Sequence, residues 1–341
     1  MRTDDFDFFL PPELIAQEPF SPRDRCRMLV LDRKKQTLEH KTFSDIVDYL
    51  VPGDCLVLND TRVLPARFLG IKEGTGGKVE ILFVSKKEGE WECLLNHSRR
   101  VKRGTIIRLP EQPDINWEIL DRDSETWLLH PSFPEEREEE IFYRYGKTPT
   151  PPYIKKRDVK PDDYQTVYAI HDGSVAAPTA GLHFTPGLLD GICQRGIQVT
   201  TLTLHVGMGT FLPVKSPYLE GHIMHTERFV IGALSAQLIR EAKKKGQRII
   251  AVGTTVVRVL ETLRQRWGEV REGEGTTDIF ISPGFQFQVI DALITNFHVP
   301  RSTLFMLVCA FGTTEFLKKA YWEAVQERYR FYSFGDATFI Y

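Results

Sequence analysis

The sequence has no paired cysteines. Cys26, Cys55, Cys93, Cys193 and Cys309 are scattered, and no CxxC occurs among them. That argues against a zinc ribbon or a redox motif, and the odd, widely spaced set fits reduced thiols in a cytosolic protein. No apolar run approaches the ~18 residues of a membrane span. The acidic start, Met1-Arg-Thr-Asp-Asp-Phe, offers no apolar core for a signal peptide. A cytoplasmic protein without a membrane partner is therefore expected, and a monomer is the default expectation that none of these features decides. Charge of one sign is also missing: the net charge is −2 over 341 residues. There is no global basic signal for nucleic acid, although a local basic stripe suffices to contact phosphates. Neither a GxxxxGK[ST] nor a GxGxxG pattern is present, which leaves nucleotide hydrolysis and dinucleotide binding poorly supported.

Histidine, by contrast, is concentrated. Four of the nine histidines, His183, His205, His222 and His225, fall between Ser174 and Phe229 among small residues and prolines. Long apolar periodicity, the mark of a core-building segment, is absent there. Small residues let a ligand approach the backbone, and imidazoles transfer protons near neutral pH. The stretch reads as a site, or alternatively as tight turns whose histidines cap or pack.

Around it the chain alternates strands and helices. Met28–Leu31 and Leu56–Leu58 read as buried strands, with a short helix between them that Ser44 caps and that runs to Leu50. The second strand runs into Asn59, Asp60, Thr61 and Arg62, a site beyond a strand end or a capping turn. Thr185-Pro186 opens a helix with Leu188, Leu189 and Ile192 inward, and Gly196 closes it. Ser235 starts another. Arg248–Glu261 is a strand, a Gly253-Thr254-Thr255 turn and a helix; free N–H groups at such a helix start suit a carboxylate. Glu269–Thr277 reads as a Gly-rich loop, and Asp278–Ile281 and Val289–Asn296 as strands. The second of these ends in the polar Asn296-Phe297-His298.

The texture changes from Gly70 to Ser132. Short apolar runs beginning at Val79, Trp91, Thr105, Trp117 and Thr126, separated by turns, predict a small antiparallel barrel or sandwich. The expected organisation is an α/β domain over 1–69 and 150–341, interrupted by a β domain over 70–149. The insertion carries Arg99, Arg100, Lys102 and Arg103, a solvated face or a nucleic-acid contact.

Six motifs occur in order: Leu58–Arg67, Ala177–Phe184, Leu204–Phe211, His225–Glu227, Val252–Arg258 and Leu293–His298. Together they resemble the S-adenosylmethionine:tRNA ribosyltransferase-isomerases of queuosine biosynthesis, over essentially the whole chain. Cys26, where a serine is expected, and Gly312-Thr313-Thr314, where paired glycines are expected, depart from the pattern outside these motifs. The resemblance implies a discontinuous α/β domain with an inserted β-barrel. It also implies transfer and isomerisation of the ribosyl part of S-adenosylmethionine onto a 7-aminomethyl-7-deazaguanine at the wobble position of tRNA. Adenine and methionine leave and epoxyqueuosine-tRNA forms. The implied partners are S-adenosylmethionine, a co-substrate rather than a tightly bound cofactor, and a tRNA anticodon stem-loop; no metal is implied.

Such chemistry needs a base beside the sulfonium, an acid or hydrogen bond for adenine, and anchors for the methionine carboxylate. His183, His205, His225 and His298 compete for acid–base work, with Asp60 and Glu227 as carboxylate partners. Candidate binding residues are Asn59, Thr61, Arg62, Thr179, Phe184, Gly207, Met208, Gly209, Gly253, Thr254, Thr255, Arg258, Asn296 and Phe297. Two other readings stay open: an RNA-binding protein that keeps the fold without catalysis, and a metal-dependent hydrolase using His222, His225 and Glu227.

Overall fold

The computed structural model describes residues 1–98, 101–123, 126–156, 159–207, 216–222 and 224–341. Among them the chain forms two compact units, Met1–Arg62 with Pro151–His171 and Ala177–Tyr341, and Val63–Thr150 with Asp172–Ala176.

The first unit is built on a nine-stranded sheet. Its order is Gly273–Thr277, Glu227–Ile231, Gln198–Leu204, Cys55–Asn59, Ile249–Val252, Ala292–Asn296, Ala337–Ile340, Arg27–Asp32 and Thr37–Thr42. The four strands from Gln198–Leu204 to Ala292–Asn296 are mutually parallel. Alternate residues of these strands face opposite sides, and both sides are covered. Met28, Val30, Leu56, Leu58, Ile250, Val252, Ala292, Ile294, Ala337 and Phe339 meet Phe43, Ile46, Phe184 and Ile192 in one cluster. Leu29, Leu31, Val57, Ala251 and Leu293 are buried on the other face. Burial on both faces is why these strands read as unbroken apolar runs rather than alternating ones. Each fully buried large side chain in such a layer stabilises by about 1.5–3 kcal/mol.

The helices follow local chemistry. Thr185 Oγ accepts from the Leu188 N–H at 3.2 Å, and Pro186 opens the helix Pro186–Gln194. Ser302 Oγ caps Thr303–Gly312 by accepting from the Phe305 N–H. Elsewhere the structure departs from the sequence reading. The Phe43–Asp48 turn is 3-10, and it starts after Thr42 rather than Ser44. Asp45 accepts from the Thr42 N–H at 3.0 Å, so Phe43 and Ile46, three apart, both reach the core. Helix Ala233–Lys244 begins before Ser235. The strand expected at Asp278–Ile281 lies instead in the preceding Gly-rich stretch, Gly273–Thr277, paired antiparallel with Glu227–Ile231. Gly275 sits there against the Phe229 ring, where a Cβ would come within 3.1 Å of Cζ. Close packing onto a neighbouring strand outweighs the low strand propensity of glycine. The last parallel strand starts at Ala292, not Val289.

The second unit is a closed antiparallel barrel, ordered Thr126–Pro131, Glu90–Asn96, Lys78–Lys87, Arg67–Lys72, Ile106–Leu109 and Gln112–Asp123. Its first strand begins at Arg67, three residues before the texture change at Gly70. Phe68, Phe83, Trp91, Trp117 and Phe133 fill it, and helix Glu138–Tyr145 adds Phe142, stacked on Trp91 with centroids 5.0 Å apart. Closure removes exposed strand edges.

Candidate active site

Because the four central strands are parallel, their carboxyl ends share one edge of the sheet. Asn59, His205, Gly253 and Asn296 all stand at or just past those ends. Ligands of open α/β sheets sit at such an edge.

The Asn59 tip is a clamp. Asn59 is fully buried. Its Nδ2 donates to the Leu204 carbonyl at 3.0 Å and to Thr255 Oγ at 3.3 Å, and its Oδ1 accepts from the Leu204 and Thr61 N–H groups. It ties three strand ends together. Asp60 accepts from Thr203 Oγ at 2.6 Å, Thr61 Oγ meets His205 Nδ1 at 2.9 Å, and Arg62 donates to the Ala169 carbonyl.

The other two tips open into a cleft. Its walls carry Thr179, Gly253, Thr254, Thr255, Asn296, Phe297 and His298 from the sequence reading, and also Tyr153, Val206, Leu304, Tyr332 and Ser333. Gly253 holds φ +90°, a backbone that side-chain-bearing residues rarely adopt. It turns the strand directly into helix Thr254–Trp267, whose first N–H groups have no side-chain cap among the described residues. The opposite wall is aromatic: the Tyr153 and Tyr332 rings lie 4.6 Å apart, and Tyr153 Oη shares a hydrogen bond with Ser333 Oγ at 2.7 Å. Tyr332 has φ +71°, held there by its N–H bond to the Phe297 carbonyl at 3.0 Å. These aromatic and hydroxyl residues were missed from sequence. They lie in a Pro-rich connector and after the last helix, where no motif marks them.

Two histidines stand at this edge in different states of enclosure. His298 faces the cleft, with Nε2 3.1 Å from Thr295 Oγ and its N–H donating to Tyr321 Oη. Burial lowers its pKa to about 3. His183 lies behind the cleft wall, against the Phe43 ring. Burial, then the positive charges of Arg23 and Arg330, lower its pKa to about 3 as well. Both imidazoles are neutral at pH 7.

The remaining candidates are dispersed. Phe184 is a core residue, packed edge-on against Phe43. Phe297 is buried among Tyr321, Tyr329 and Phe331. Glu227 and Arg258 form a buried ion pair, and Glu227 also accepts from the Gly207 N–H at 2.9 Å. His225 is exposed, and His205 is half-buried beside Thr61. Met208 and Gly209 lie outside the described residues, as do Arg99 and Arg100; Lys102 and Arg103 are exposed on the barrel unit. Among the described residues no three His, Cys, Asp or Glu side chains are grouped to hold a metal ion. Nor, among them, is any helix long and apolar enough to cross a membrane.

Comparison with known proteins bears on this site. A family model described as queuosine biosynthesis protein matches residues 3–340. The chain is 48% identical over 341 residues to the S-adenosylmethionine:tRNA ribosyltransferase-isomerase of Thermotoga maritima, covering all of both chains. It is 48% identical over 342 residues to the protein of the same name from Moorella thermoacetica, again over all of both. A crystal structure of S-adenosylmethionine tRNA ribosyltransferase from Thermotoga maritima superposes with a TM-score of 0.58 at 40% identity, covering 99% of this chain and 100% of that one.

Proposed function

The chain belongs to the queuosine biosynthesis protein family, and from that premise we propose that the cleft between Gly253–Thr255 and Asn296–His298 holds S-adenosylmethionine for reaction with tRNA. The enzyme is an S-adenosylmethionine-dependent tRNA ribosyltransferase-isomerase. It moves the ribosyl part of S-adenosylmethionine onto the 7-aminomethyl-7-deazaguanine of the wobble position and isomerises it, giving epoxyqueuosine-tRNA with release of adenine and methionine.

The observation that carries the placement is the pairing of an uncapped helix start with an aromatic wall in one cleft. The free N–H groups of Thr254 and Thr255 and the positive end of their helix suit the methionine carboxylate. The Tyr153 and Tyr332 rings, with Leu304, offer an apolar surface for adenine. His298, neutral and at the cleft wall, is the acid–base candidate there. Glu227 and Arg258 hold Gly207 at the start of the Gly207-Met208-Gly209 segment. Lys102 and Arg103, with Arg99 and Arg100, would contact the phosphates of the anticodon stem-loop. The free thiols of all five cysteines support a cytoplasmic setting.

The test is direct. Purified protein, S-adenosylmethionine and tRNA carrying the aminomethyl-deazaguanine should release adenine and methionine without added metal. His298→Ala should lower kcat by roughly a hundredfold or more, the usual contribution of a positioned acid–base group. Release of S-adenosylhomocysteine instead would mean ordinary methyl transfer, and undiminished turnover by His298→Ala would remove the cleft assignment.

A further inference from the structure

A chain of side-chain contacts runs from the core to the cleft wall, and the reaction as described does not use its inner half. Cys26 Sγ lies 3.1 Å from His183 Nδ1. His183 Nε2 lies 3.0 Å from Asn296 Nδ2. Asn296 Oδ1 accepts from Thr179 Oγ at 2.9 Å, and Thr179 and Asn296 both line the cleft. The four residues come from the turn before strand Arg27–Asp32, from the two ends of the Thr179–His183 turn and from the end of strand Ala292–Asn296. Cys26 is 1% exposed, Asn296 2% and His183 4%.

The donor inventory gives this chain a direction. An amide has one accepting and one donating end, and a neutral imidazole has one accepting and one donating nitrogen. Asn296 spends its oxygen on the Thr179 hydroxyl, so its NH₂ faces His183 Nε2. That nitrogen must accept. The ring proton therefore sits on Nδ1 and points at the Cys26 sulfur, a weak acceptor of ample size. A doubly protonated ring would set an N–H against the Asn296 NH₂, and the surrounding charges, Arg23 and Arg330, also disfavour it. The Thr179 hydrogen is committed to Asn296, which leaves its lone pairs for the cleft.

Resting on the cleft assignment above, we propose that Cys26 and His183 are positioning residues. Through Asn296 they fix the Thr179 hydroxyl as a hydrogen-bond acceptor toward the bound nucleoside, which presents an O–H or N–H donor there. His183 on this account does not exchange a proton with substrate. Behind this wall an imidazole and a thiol, the types of a base and a nucleophile, serve to orient an amide.

Three variants and one spectrum test this. His183→Ala deletes the acceptor for Asn296 and should lower kcat/KM for S-adenosylmethionine by about tenfold or more, since small misplacements in a reacting site are costly. His183→Gln restores an acceptor near the Nε2 position and should recover kcat/KM to within about threefold of the parent, a single imperfect hydrogen bond. Its kcat–pH profile should keep every limb that the parent shows. Asn296→Asp replaces the donor facing Nε2 by an acceptor and should move the His183 proton from Nδ1 to Nε2. Nitrogen-15 NMR of the unliganded enzyme should place the His183 proton on Nδ1. The proposal is overturned if folded His183→Gln, judged by an unaltered circular dichroism spectrum, is as inactive as His183→Ala, if its pH profile loses a limb, or if the proton is found on Nε2. Should the parent enzyme release no adenine at all, the cleft assignment fails instead, while the NMR result still decides the direction of the chain.

Discussion

Glu227 offers the sharpest energetic test, because both ends of its ion pair are inside the protein. The Glu227 and Arg258 side chains are each 4% exposed. Glu227 Oε2 accepts from Arg258, and its Oε1 accepts from the Gly207 N–H. Apart from Glu227, Arg258 has a long bond to the Thr277 carbonyl, 3.4 Å, and its Nε is buried without a hydrogen-bond partner among the described residues. Glu227→Ala thus strands a guanidinium in the interior. Breaking one side of a buried pair costs about 3–5 kcal/mol. Arg258→Met strands the carboxylate and should cost a similar amount. The double variant removes both desolvation costs and, among the described residues, leaves the Gly207 N–H and the weakly bonded Thr277 carbonyl unanswered, a loss of about 1–3 kcal/mol. The two single effects should therefore be far from additive, with a coupling of at least about 2 kcal/mol. Hydrogen exchange of peptides from helix Thr254–Trp267 is the suitable assay, because a global melt would mix this unit with the barrel. If the single losses add to the double loss within about 0.5 kcal/mol, the pair is not the coupled, dry interaction described here.

Acid should destabilise the fold through its buried histidines. His183 and His298 fall to about 3 in the folded state, so the unfolded chain binds protons that the native one refuses as pH drops from 6.5 toward 3. Stability is fully present above 6.5 and is lost below it. His183→Gln should flatten the stability–pH slope in that window by about 1.4 kcal/mol per unit, one proton's worth; an unchanged slope in urea titrations would show that His183 is charged when folded. Glu261, 1% exposed, accepts the N–H groups of Gln288, Val289 and Ile290 at 3.0, 3.0 and 3.2 Å. Glu261→Ala orphans all three and should cost at least about 2 kcal/mol, whereas a thermal shift within error would contradict that role. Replacing Arg99, Arg100, Lys102 and Arg103 together should flatten the salt dependence of tRNA binding by about one unit of slope per lost phosphate contact; an unaltered slope would leave them a solvated face.

Local chemistry made much of the fold legible. The apolar runs at Met28–Leu31 and Leu56–Leu58, the Thr185-Pro186 helix start and the regular short strands of the barrel each depend on neighbours a few residues away. Their intrinsic preferences agree with the final structure, so they could be read without it. The ordered motifs likewise identified the family. Polar residues at strand ends pointed to one shared edge of the sheet, because parallel pairing carries all such ends to one side.

Roles within that edge were not legible. Asn59 and Asn296 are both asparagines closing an apolar strand, yet one clamps three strand ends from beneath and the other lines the cleft. His183 and His298 sit in similar motifs, but only His298 lines the cleft. Tyr153 and Tyr332 meet across 179 residues of chain, and Cys26 and His183 across 157. Local propensity and periodicity specify which segments become strands, helices and barrel, and place polar residues at the strand ends. Which of those polar groups face open space and which satisfy one another in the interior is settled in the folded chain. That choice is made by strand register and packing between distant segments, where a shift of one residue reverses the face a side chain presents.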